Sequence, residues 1–365
     1  MDRKKRKFGS DGRLMQQMMT RDEAAPSTNY TSYNEGRNVF HVDSLTSCRS
    51  IKEYQFLNDI KAGSYGEVFR ARDRTSGEVV AVKKLRCDKR QGDFPVTGYR
   101  EIGTLRSLNH HGIVHLREVV LGSTADQVFL VMEYMEYDLK GLIDAKARFL
   151  NSQVKSILLQ TLSALNELHS HWIVHRDLKT SNLLMNRRGQ VKVADFGLAR
   201  WYADPLPQMT PLVVTLWNRC PELLLGSTTY GTEVDMWSVG CIFGELFQVH
   251  PFQGKGDIDQ LFKIFEVLGS PNVESCPELL TLPHAPRINF ASKRFPSASQ
   301  LQTKYPTLPS QGLNLMTQLL CLSPSQRVNA ADAIRHPYFM EEPRGGVSVT
   351  MPVFLPTNTH HQTSA

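Results

Sequence analysis

The sequence of 365 residues lacks the cysteine and histidine patterns of a metal centre or a disulfide framework. Its six cysteines include no C-x-x-C pair, so a reducing compartment is expected. His169, His171 and His175 lie close together without metal-ligand spacing, which excludes an obvious histidine metal site.

The chain also lacks an apolar run long enough for a bilayer. The longest, 234–247, contains Asp235 and Glu245 and is shorter than the ~20 residues that a spanning helix needs. No leader pattern opens the sequence, and no internal repeat is visible. We therefore expect neither a signal peptide nor a membrane partner.

Positive charges exceed negative charges only slightly. The net charge is +6, and much of the excess lies in the run 3–7, so direct contact with nucleic acid is not expected. This run is either a solvated tail, a nuclear-localisation signal or a contact for an acidic partner. A nuclear location, with the cytoplasm as a second one, is the expectation. The polar stretch 1–50 is predicted to be a disordered tail.

The most informative stretch contains two apolar runs, 182–185 and 191–194, which flank a polar turn with one glycine. This pattern predicts a short hairpin. The hairpin would hold Asp177 and Asn182 before it and Asp195 after it at one edge. Carboxylate and amide oxygens suit Mg²⁺, while Asp177, facing a substrate, would accept a hydroxyl proton.

The motif His175-Arg176-Asp177-Leu178-x-x-x-Asn182, followed by Asp195-Phe196-Gly197, resembles the catalytic and magnesium loops of protein kinases. The resemblance implies ATP and Mg²⁺ as cofactors. It implies an α+β, bilobal protein-kinase fold, with a small antiparallel β-sheet and one helix in the N-lobe and a mainly helical C-lobe. The implied organisation is a tail at 1–50, an N-lobe at 54–132, a hinge at 133–137, a C-lobe at 138–339 and a C-terminal tail at 340–365.

Short strands are predicted before the hinge, the first three as an antiparallel meander: 54–60, 68–72, 79–83, 113–120 and 127–132. The alternation of Val80-Ala81-Val82-Lys83 places Lys83 inward. Its expected partner is Glu101 on a predicted helix, 99–108, and in kinases this ion pair forms only when the helix is swung inward. The alternative for Glu101 is an exposed position on the helix surface.

The resemblance to kinases implies that the nucleotide is bound by the phosphate loop, the lysine strand, the hinge and the apolar slot between them. The residues are Ile60, Lys61, Ala62, Gly63, Ser64, Tyr65, Gly66, Val68, Ala81, Lys83, Glu101, Met132, Glu133, Met135, Asp138 and Leu184. Lys61 stands where the kinase loop has its first glycine. Ser64 and Tyr65 either accept inhibitory phosphates or form an ordinary turn.

The segment from Pro95 to Glu101 resembles the cyclin-binding helix of cyclin-dependent kinases, most closely that of the PITSLRE group. That group is associated with L-type cyclins, nuclear transcription and pre-mRNA splicing. Gly98 and Tyr99 depart from the pattern, and glycine within a helix costs about 0.5–1 kcal/mol. The helix is therefore expected to depend on a partner, an L-type cyclin.

Thr210 aligns with the activating threonine of these kinases, to be phosphorylated by the chain itself or by an activating kinase. A phosphate there needs cationic groups, and the resemblance supplies Arg100, Arg176 and Arg200. Lys179 and Thr215 are expected beside Asp177, as in serine/threonine kinases.

The segment 213–219 resembles the pocket that selects proline after the target hydroxyl. The carbonyl of Val214 would point at Arg219 and leave nothing to accept an amide hydrogen, so substrates with Ser/Thr-Pro sites are expected. Asn218 and Cys220 depart from the family pattern, and we expect them to touch the substrate-side wall.

Two functions compete. The first is an active cyclin-dependent serine/threonine kinase. The second is a catalytically silent scaffold that binds a cyclin-like partner, supported only by Lys61, Gly98 and Cys220. A mitogen-activated kinase is excluded, because the segment before Pro221 contains no Thr-x-Tyr pair. The sequence further predicts that Asp235 caps the catalytic loop and, from the resemblance, that Arg327 pairs with Glu222.

Overall fold

The computed structural model describes residues 48–63, 66–85, 96–124, 127–211, 213–271, 276–288 and 295–345. At 61–63 only the backbone is described. The predictions for the tails at 1–47 and 346–365, and those for Ser64, Tyr65 and Pro95, lie outside these residues.

Five antiparallel strands form the N-terminal sheet in the order β1-β2-β3-β5-β4. Their bounds are β1 Tyr54–Gly63, β2 Gly66–Asp73, β3 Val79–Leu85, β4 Leu116–Leu121 and β5 Val128–Glu133. The predicted meander of the first three strands is confirmed. Val80 and Val82 pack in an apolar cluster on one face, which leaves Ala81 and Lys83 on the other, as strand alternation requires.

One predicted strand begins later than expected. Ile113 makes a parallel bridge with Val193 of the other lobe, and the amide of Val114 donates to the Val193 carbonyl at 3.0 Å. This stretch therefore joins the lobes, and β4 starts only at Leu116.

Helix α1, Val96–Ser107, is the α-helix in the described part of this lobe and starts three residues before the predicted Tyr99. It packs against the 3-10 turn Phe196–Leu198, directly after Asp195. Gly98 and Glu101 are buried within it. The glycine therefore lies at a packed position, and the helix carries Glu101 toward the other lobe.

The C-lobe is mainly helical. Its helices are α2 Leu139–Asp144, α3 Asn151–Ser170, α4 Pro221–Leu224, α5 Glu233–Leu246, α6 Asp257–Leu268, α7 Pro277–Leu280, α8 Leu301–Lys304, α9 Ser310–Leu319 and α10 Ala330–Ile334. Its strands form two small sheets, β6-β8-β9 and β10-β7, with bounds β6 Tyr137–Asp138, β7 Ile173–Val174, β8 Leu183–Met185, β9 Val191–Val193 and β10 Arg200–Trp201. Further 3-10 turns are Ile51–Glu53, Thr180–Asn182, Leu216–Asn218, Ala285–Arg287, Pro324–Gln326 and Pro337–Phe339.

Helix α5 is buried along nearly its whole length, as its apolar sequence predicts. Trp237 stacks on Phe252 with ring centroids 5.5 Å apart. The predicted hairpin is also present, because β8 pairs with β9 across the turn after Asn186. The kinase architecture expected from the sequence is confirmed.

Residues on either side of 54–339 also pack on the domain. Arg49 lies 2.9 Å from carboxylate oxygens of both Asp73 and Glu118, although the sequence predicted a disordered tail through residue 50. Lys155 donates to the Glu341 carbonyl at 2.7 Å. These contacts join residues far apart in sequence, which explains why a local pattern did not reveal them. Within the described ranges, no helix combines the length and apolarity needed to cross a membrane.

Candidate active site

A buried ion pair joins the two lobes. Lys83 Nζ on β3 lies 2.7 Å from Glu101 Oε1 on α1 and 2.8 Å from Asp195 Oδ1. The side chains of Lys83 and Glu101 are only 6% and 4% exposed, so the exposed alternative for Glu101 is wrong. Helix α1 is thus in the inward position that the pair requires.

Lys83 and Asp195 stabilise each other's charges, whereas burial raises the pKa of Glu101. Burial alone would lower the pKa of Lys83, but the attraction of Glu101 and Asp195 outweighs it and raises that pKa. Burial would likewise raise the pKa of Asp195, yet Lys83 holds it below its ordinary value. Lys83 therefore stays cationic and Asp195 anionic, as binding of a phosphate and a metal ion requires.

Asp177 is the centre of a second cluster. Its Oδ2 accepts from Lys179 Nζ at 2.7 Å, and its Oδ1 accepts from Thr215 Oγ1 at 2.9 Å. Lys179 also donates to Thr215 Oγ1 at 3.0 Å. Two segments far apart in the sequence thus meet around one buried carboxylate, in the arrangement that the sequence predicted.

Asn182 links the two clusters. Its side-chain amide nitrogen donates to the backbone carbonyl of Asp177 at 2.8 Å. Its backbone carbonyl accepts from Ala194 N at 2.9 Å. Because Ala194 directly precedes Asp195, the predicted metal-binding residues Asn182 and Asp195 are neighbours. The hairpin brings them together.

Magnesium fits this donor set. The side chains of Asp195 and Asn182 supply a carboxylate and an amide, and Mg²⁺ usually takes few protein oxygens together with water and phosphate. The described residues contain no cluster of three or more His, Cys, Asp or Glu side chains that would suit a different metal site.

Asp235 on helix α5 supports the catalytic loop through hydrogen bonds to its backbone. Its carboxylate accepts from the amides of His175 at 2.8 Å and Arg176 at 2.9 Å, and it lies 3.0 Å from His169 Nε2. Arg176 has a φ of 67°, a conformation that costs a residue other than glycine about 1–3 kcal/mol. The two hydrogen bonds hold this strained turn, so Asp235 is the cap that the sequence predicted.

A second support was not foreseen. Thr180 Oγ1 donates to Glu245 Oε2 of α5 at 2.9 Å, and both residues are buried. From the sequence, Glu245 was considered only as a charge that argues against a membrane-spanning helix. A buried carboxylate in a mainly apolar helix needs a polar partner, and this signal could have directed attention to the catalytic loop.

Replacing Thr180 by Val is expected to lower the free energy of unfolding by about 1–3 kcal/mol, because the buried Glu245 carboxylate loses a hydrogen bond. Denaturant unfolding measures the change. Thr180→Ser keeps the hydroxyl and serves as the control. If the two variants unfold alike, the Thr180–Glu245 bond does not support the loop.

The predicted nucleotide slot lies between the lobes. Register places Ala81 opposite Met132 and Val68 opposite Lys83. The apolar members of the slot are all partly accessible: Ile60, Val68, Ala81, Met132 and Leu184. A purine could therefore contact them without rearrangement of the core.

The remaining predicted nucleotide contacts border this slot. Asp138 caps α2 by accepting from Gly141 N at 2.8 Å. The Glu133 side chain pairs with Lys192 at 2.7 Å, and Met135 in the hinge is buried. Both observations are compatible with the prediction that backbone groups of the hinge bind adenine. Gly66 has a φ of 149°, and a Cβ there would collide with the Lys84 carbonyl, so only glycine fits this end of the phosphate loop.

The activation segment brings the three predicted arginines together. Burial lowers the pKa of Arg100, and the positive charges of Arg200 and Arg176 lower it further. Arg176 also donates to the hydroxyl of Tyr230, which in turn donates to the Thr210 carbonyl at 2.7 Å. The exposed Thr210 thus connects through Tyr230 to a cationic cluster.

The predicted proline pocket has the expected backbone. Val214 has a φ of 65°, and its carbonyl accepts from Arg219 Nη2 at 3.0 Å. The expectation that Asn218 and Cys220 touch the substrate-side wall is wrong. They are 3% and 0% exposed because their side chains point into the helical core.

The comparisons with known proteins agree with this geometry. Residues 54–339 match the family model described as the protein kinase domain. The serine/threonine-protein kinase ppk23 of Schizosaccharomyces pombe is 47% identical over 315 residues, which cover 86% of this chain and 78% of that protein. Cyclin-dependent kinase 11B of Mus musculus is 47% identical over 306 residues, or 83% of this chain and 39% of that protein. Cyclin-dependent kinase G-2 of Oryza sativa subsp. indica is 46% identical over 326 residues, or 87% of this chain and 46% of that protein.

The chain belongs to the protein kinase family, as an ATP-dependent serine/threonine kinase that uses ATP and Mg²⁺. Within that family it is a cyclin-dependent kinase, similar to the cyclin-dependent kinase 11 (PITSLRE) and G groups. The chain spans less than half the length of the mouse and rice cyclin-dependent kinases described above.

Proposed function

We propose that this chain transfers the γ-phosphoryl group of ATP to protein serine and threonine hydroxyls that are followed by proline, under the control of a cyclin. The observation that carries the proposal is the coexistence of the Lys83–Glu101–Asp195 ion pairs with the Asp177–Lys179–Thr215 cluster. Because both clusters are complete, the silent-scaffold alternative has little support.

The position of each residue in the site determines its proposed role. Asp177 orients the substrate hydroxyl and accepts its proton, while Lys179 neutralises charge that develops on the transferred group. Lys83, held by Glu101, orients the ATP phosphates. Magnesium, bound through Asp195 and Asn182, would offset the negative charge of the phosphates. Catalysis on this scheme is mainly positioning and electrostatic stabilisation.

Proline selection follows from the carbonyl of Val214. Because this carbonyl already accepts from Arg219, it is not oriented toward a substrate amide. A residue with an N–H after the target hydroxyl would leave that group unpaired, which costs about 1–3 kcal/mol. Proline has no N–H and avoids the cost.

Two peptides that differ only in Ser-Pro or Ser-Ala test this preference. We expect kcat/KM to favour Ser-Pro by roughly tenfold or more, in line with one unpaired amide, and Arg219→Leu to reduce the ratio by freeing the Val214 carbonyl. Asp257→Asn is the control, since it neutralises the carboxylate that pairs with Arg219 at 2.9 Å without changing Val214. Equal rates for both peptides with the wild-type chain would refute proline selection.

The proposed cyclin site is the exposed face of α1, where Val96 and Tyr99 are 61% and 68% exposed. Two of the relatives are named cyclin-dependent kinases, which supports a cyclin as partner; that it is of the L type is our proposal. Phosphorylation of Thr210 would bind the cluster of Arg100, Arg176 and Arg200 and so couple the activation segment to α1.

The cellular setting is also a proposal. A nuclear role in transcription, RNA splicing or cell-cycle control agrees with the PITSLRE resemblance and with the basic run at 3–7. The protein substrates of this kinase would carry Ser/Thr-Pro sites. Loss of nuclear accumulation when the five basic residues are replaced by glutamine would support the assignment of that run, and unchanged accumulation would oppose it.

A further inference from the structure

Helix α1 contains a second glycine, Gly103, two residues after Glu101. Glycine is unfavourable inside a helix, so its presence here indicates a contact that a larger residue would not allow. An ideal Cβ at Gly103 would lie 3.2 Å from Cη2 of Trp201, which is closer than an ordinary van der Waals contact. The missing side chain therefore lets the indole of the activation segment lie directly against the backbone of α1.

Trp201 is held firmly at this contact. It belongs to β10, pairs with Ile173 of β7, and its partly buried side chain packs against the main apolar core. The next residue, Tyr202, donates its amide to the Trp172 carbonyl at 2.9 Å and its hydroxyl to the His169 carbonyl at 3.1 Å. Because these bonds fix the backbone that carries the indole and the core packs around the ring, the ring does not move aside freely.

The ion pair and the indole contact α1 on different sides. Residues two apart in an α-helix point about 200° away from each other, so the Cα–Cβ directions at Glu101 and Gly103 face nearly opposite sides of the helix. Glu101 lies 2.7 Å from Lys83 on one side, and the Trp201 ring lies on the other. A movement of α1 away from Lys83 would therefore meet the indole.

We propose that Trp201 is a positioning residue that holds α1, and with it Glu101, in the inward position by fitting into the notch left by Gly103. The contact is apolar, so it acts whether or not the activation segment is phosphorylated. Its effect on turnover rests on the proposed function, since the Lys83–Glu101 pair matters for turnover only if the chain transfers phosphate. The position of the helix itself does not depend on that function.

The test exchanges the two shapes. Trp201→Ala removes the indole, Gly103→Leu fills the notch, and the double variant moves the large side chain from β10 to the helix. Hydrogen exchange of the full-length chain, followed by mass spectrometry over 96–107, measures how readily α1 opens. We expect about tenfold faster exchange in each single variant and recovery of most of the protection in the double variant, because contacting residues are coupled. Effects that simply add in the double variant would overturn the inference.

Two controls separate positioning from general loosening. Trp172→Ala makes the same chemical change at a ring that stacks on Tyr202 with centroids 5.2 Å apart, and exchange over α1 should stay at the wild-type rate. The amides of α5, 233–246, should be equally unaffected in every variant. If Trp172→Ala opens α1 as much as Trp201→Ala does, or if α5 responds as strongly as α1, the inference is wrong.

A Ser-Pro peptide assay on the same proteins separates the inference from the proposed function. Trp201→Ala should lower kcat by about two- to tenfold, since fewer molecules have the Lys83–Glu101 pair in place, and leave KM for the peptide unchanged. A higher KM at unchanged kcat would place Trp201 at the peptide and overturn the inference. If the wild-type chain phosphorylates no peptide, the proposed function fails and the exchange rates alone decide the inference. If it does so while exchange over α1 is unchanged in Trp201→Ala, only the inference fails.

Discussion

Asp177→Asn is expected to lower kcat for peptide phosphorylation by about 10²–10⁴-fold, the range for loss of a positioned general base. An amide cannot accept the substrate proton as a carboxylate does. Affinity for ATP should change little, because the contacts of Asp177 are with Lys179, Thr215 and Asn182 and not with the Lys83 cluster. Steady-state kinetics with a Ser-Pro peptide and a separate titration with ATP measure the two quantities.

The control for this variant is Asp144→Asn. It makes the same chemical change at an exposed residue whose carboxylate pairs with Lys140 on the surface, so kcat should stay at the wild-type value. An Asp177→Asn enzyme that retains full turnover would remove Asp177 from the mechanism. One that loses ATP affinity in parallel would indicate a folding role instead.

Glu222→Gln is expected to have the largest effect on stability. Glu222 Oε1 lies 2.7 Å from Arg327 Nη1, and the two side chains are 4% and 0% exposed. Without the carboxylate, the guanidinium remains buried and poorly compensated, and removal of one partner from such a pair costs about 3–5 kcal/mol. Arg327 also donates to the Glu233 carbonyl at 2.8 Å, so the loss affects the start of α5 as well.

Denaturant unfolding of the C-lobe tests this expectation, with the midpoint as the readout. The double variant Glu222→Leu/Arg327→Met replaces the whole ion pair by apolar side chains and should recover most of the loss, because such replacements are often neutral. If Glu222→Gln unfolds at the wild-type midpoint, the pair does not stabilise the lobe. If the double variant is the weaker of the two, the ion pair itself is favourable.

The sequence predicted the parts of the site that depend on local pattern. The hairpin between Asn182 and Asp195 follows from two short apolar runs and a turn, and the inward position of Lys83 follows from strand alternation. Most partners distant in the sequence were predicted because a family resemblance named both members, as for Glu101 with Lys83 and Arg327 with Glu222. Asp235 is an exception, since its place in an apolar helix predicted a buried cap for the catalytic loop.

What the sequence did not reveal rests on contacts between distant segments. The Thr180–Glu245 hydrogen bond joins residues 65 positions apart, and Arg49 reaches Glu118 across 69 positions. A single sequence contains no periodicity that pairs such residues. The inward-facing side chains of Asn218 and Cys220 were misplaced for the same reason, because the packing of the helical core determines their direction.

The main claim is that Lys83, Glu101, Asp177, Asn182 and Asp195 form one site for ATP and magnesium. Calorimetric titration of the full-length chain with ATP, in Mg²⁺ and in excess chelator, tests it most directly when wild type and Asp195→Asn are compared. We predict that the wild-type chain binds ATP more tightly in Mg²⁺ than in chelator and that Asp195→Asn loses this difference. ATP affinity that is the same with and without Mg²⁺ in the wild-type chain, or a Mg²⁺ dependence unchanged in Asp195→Asn, would contradict the account.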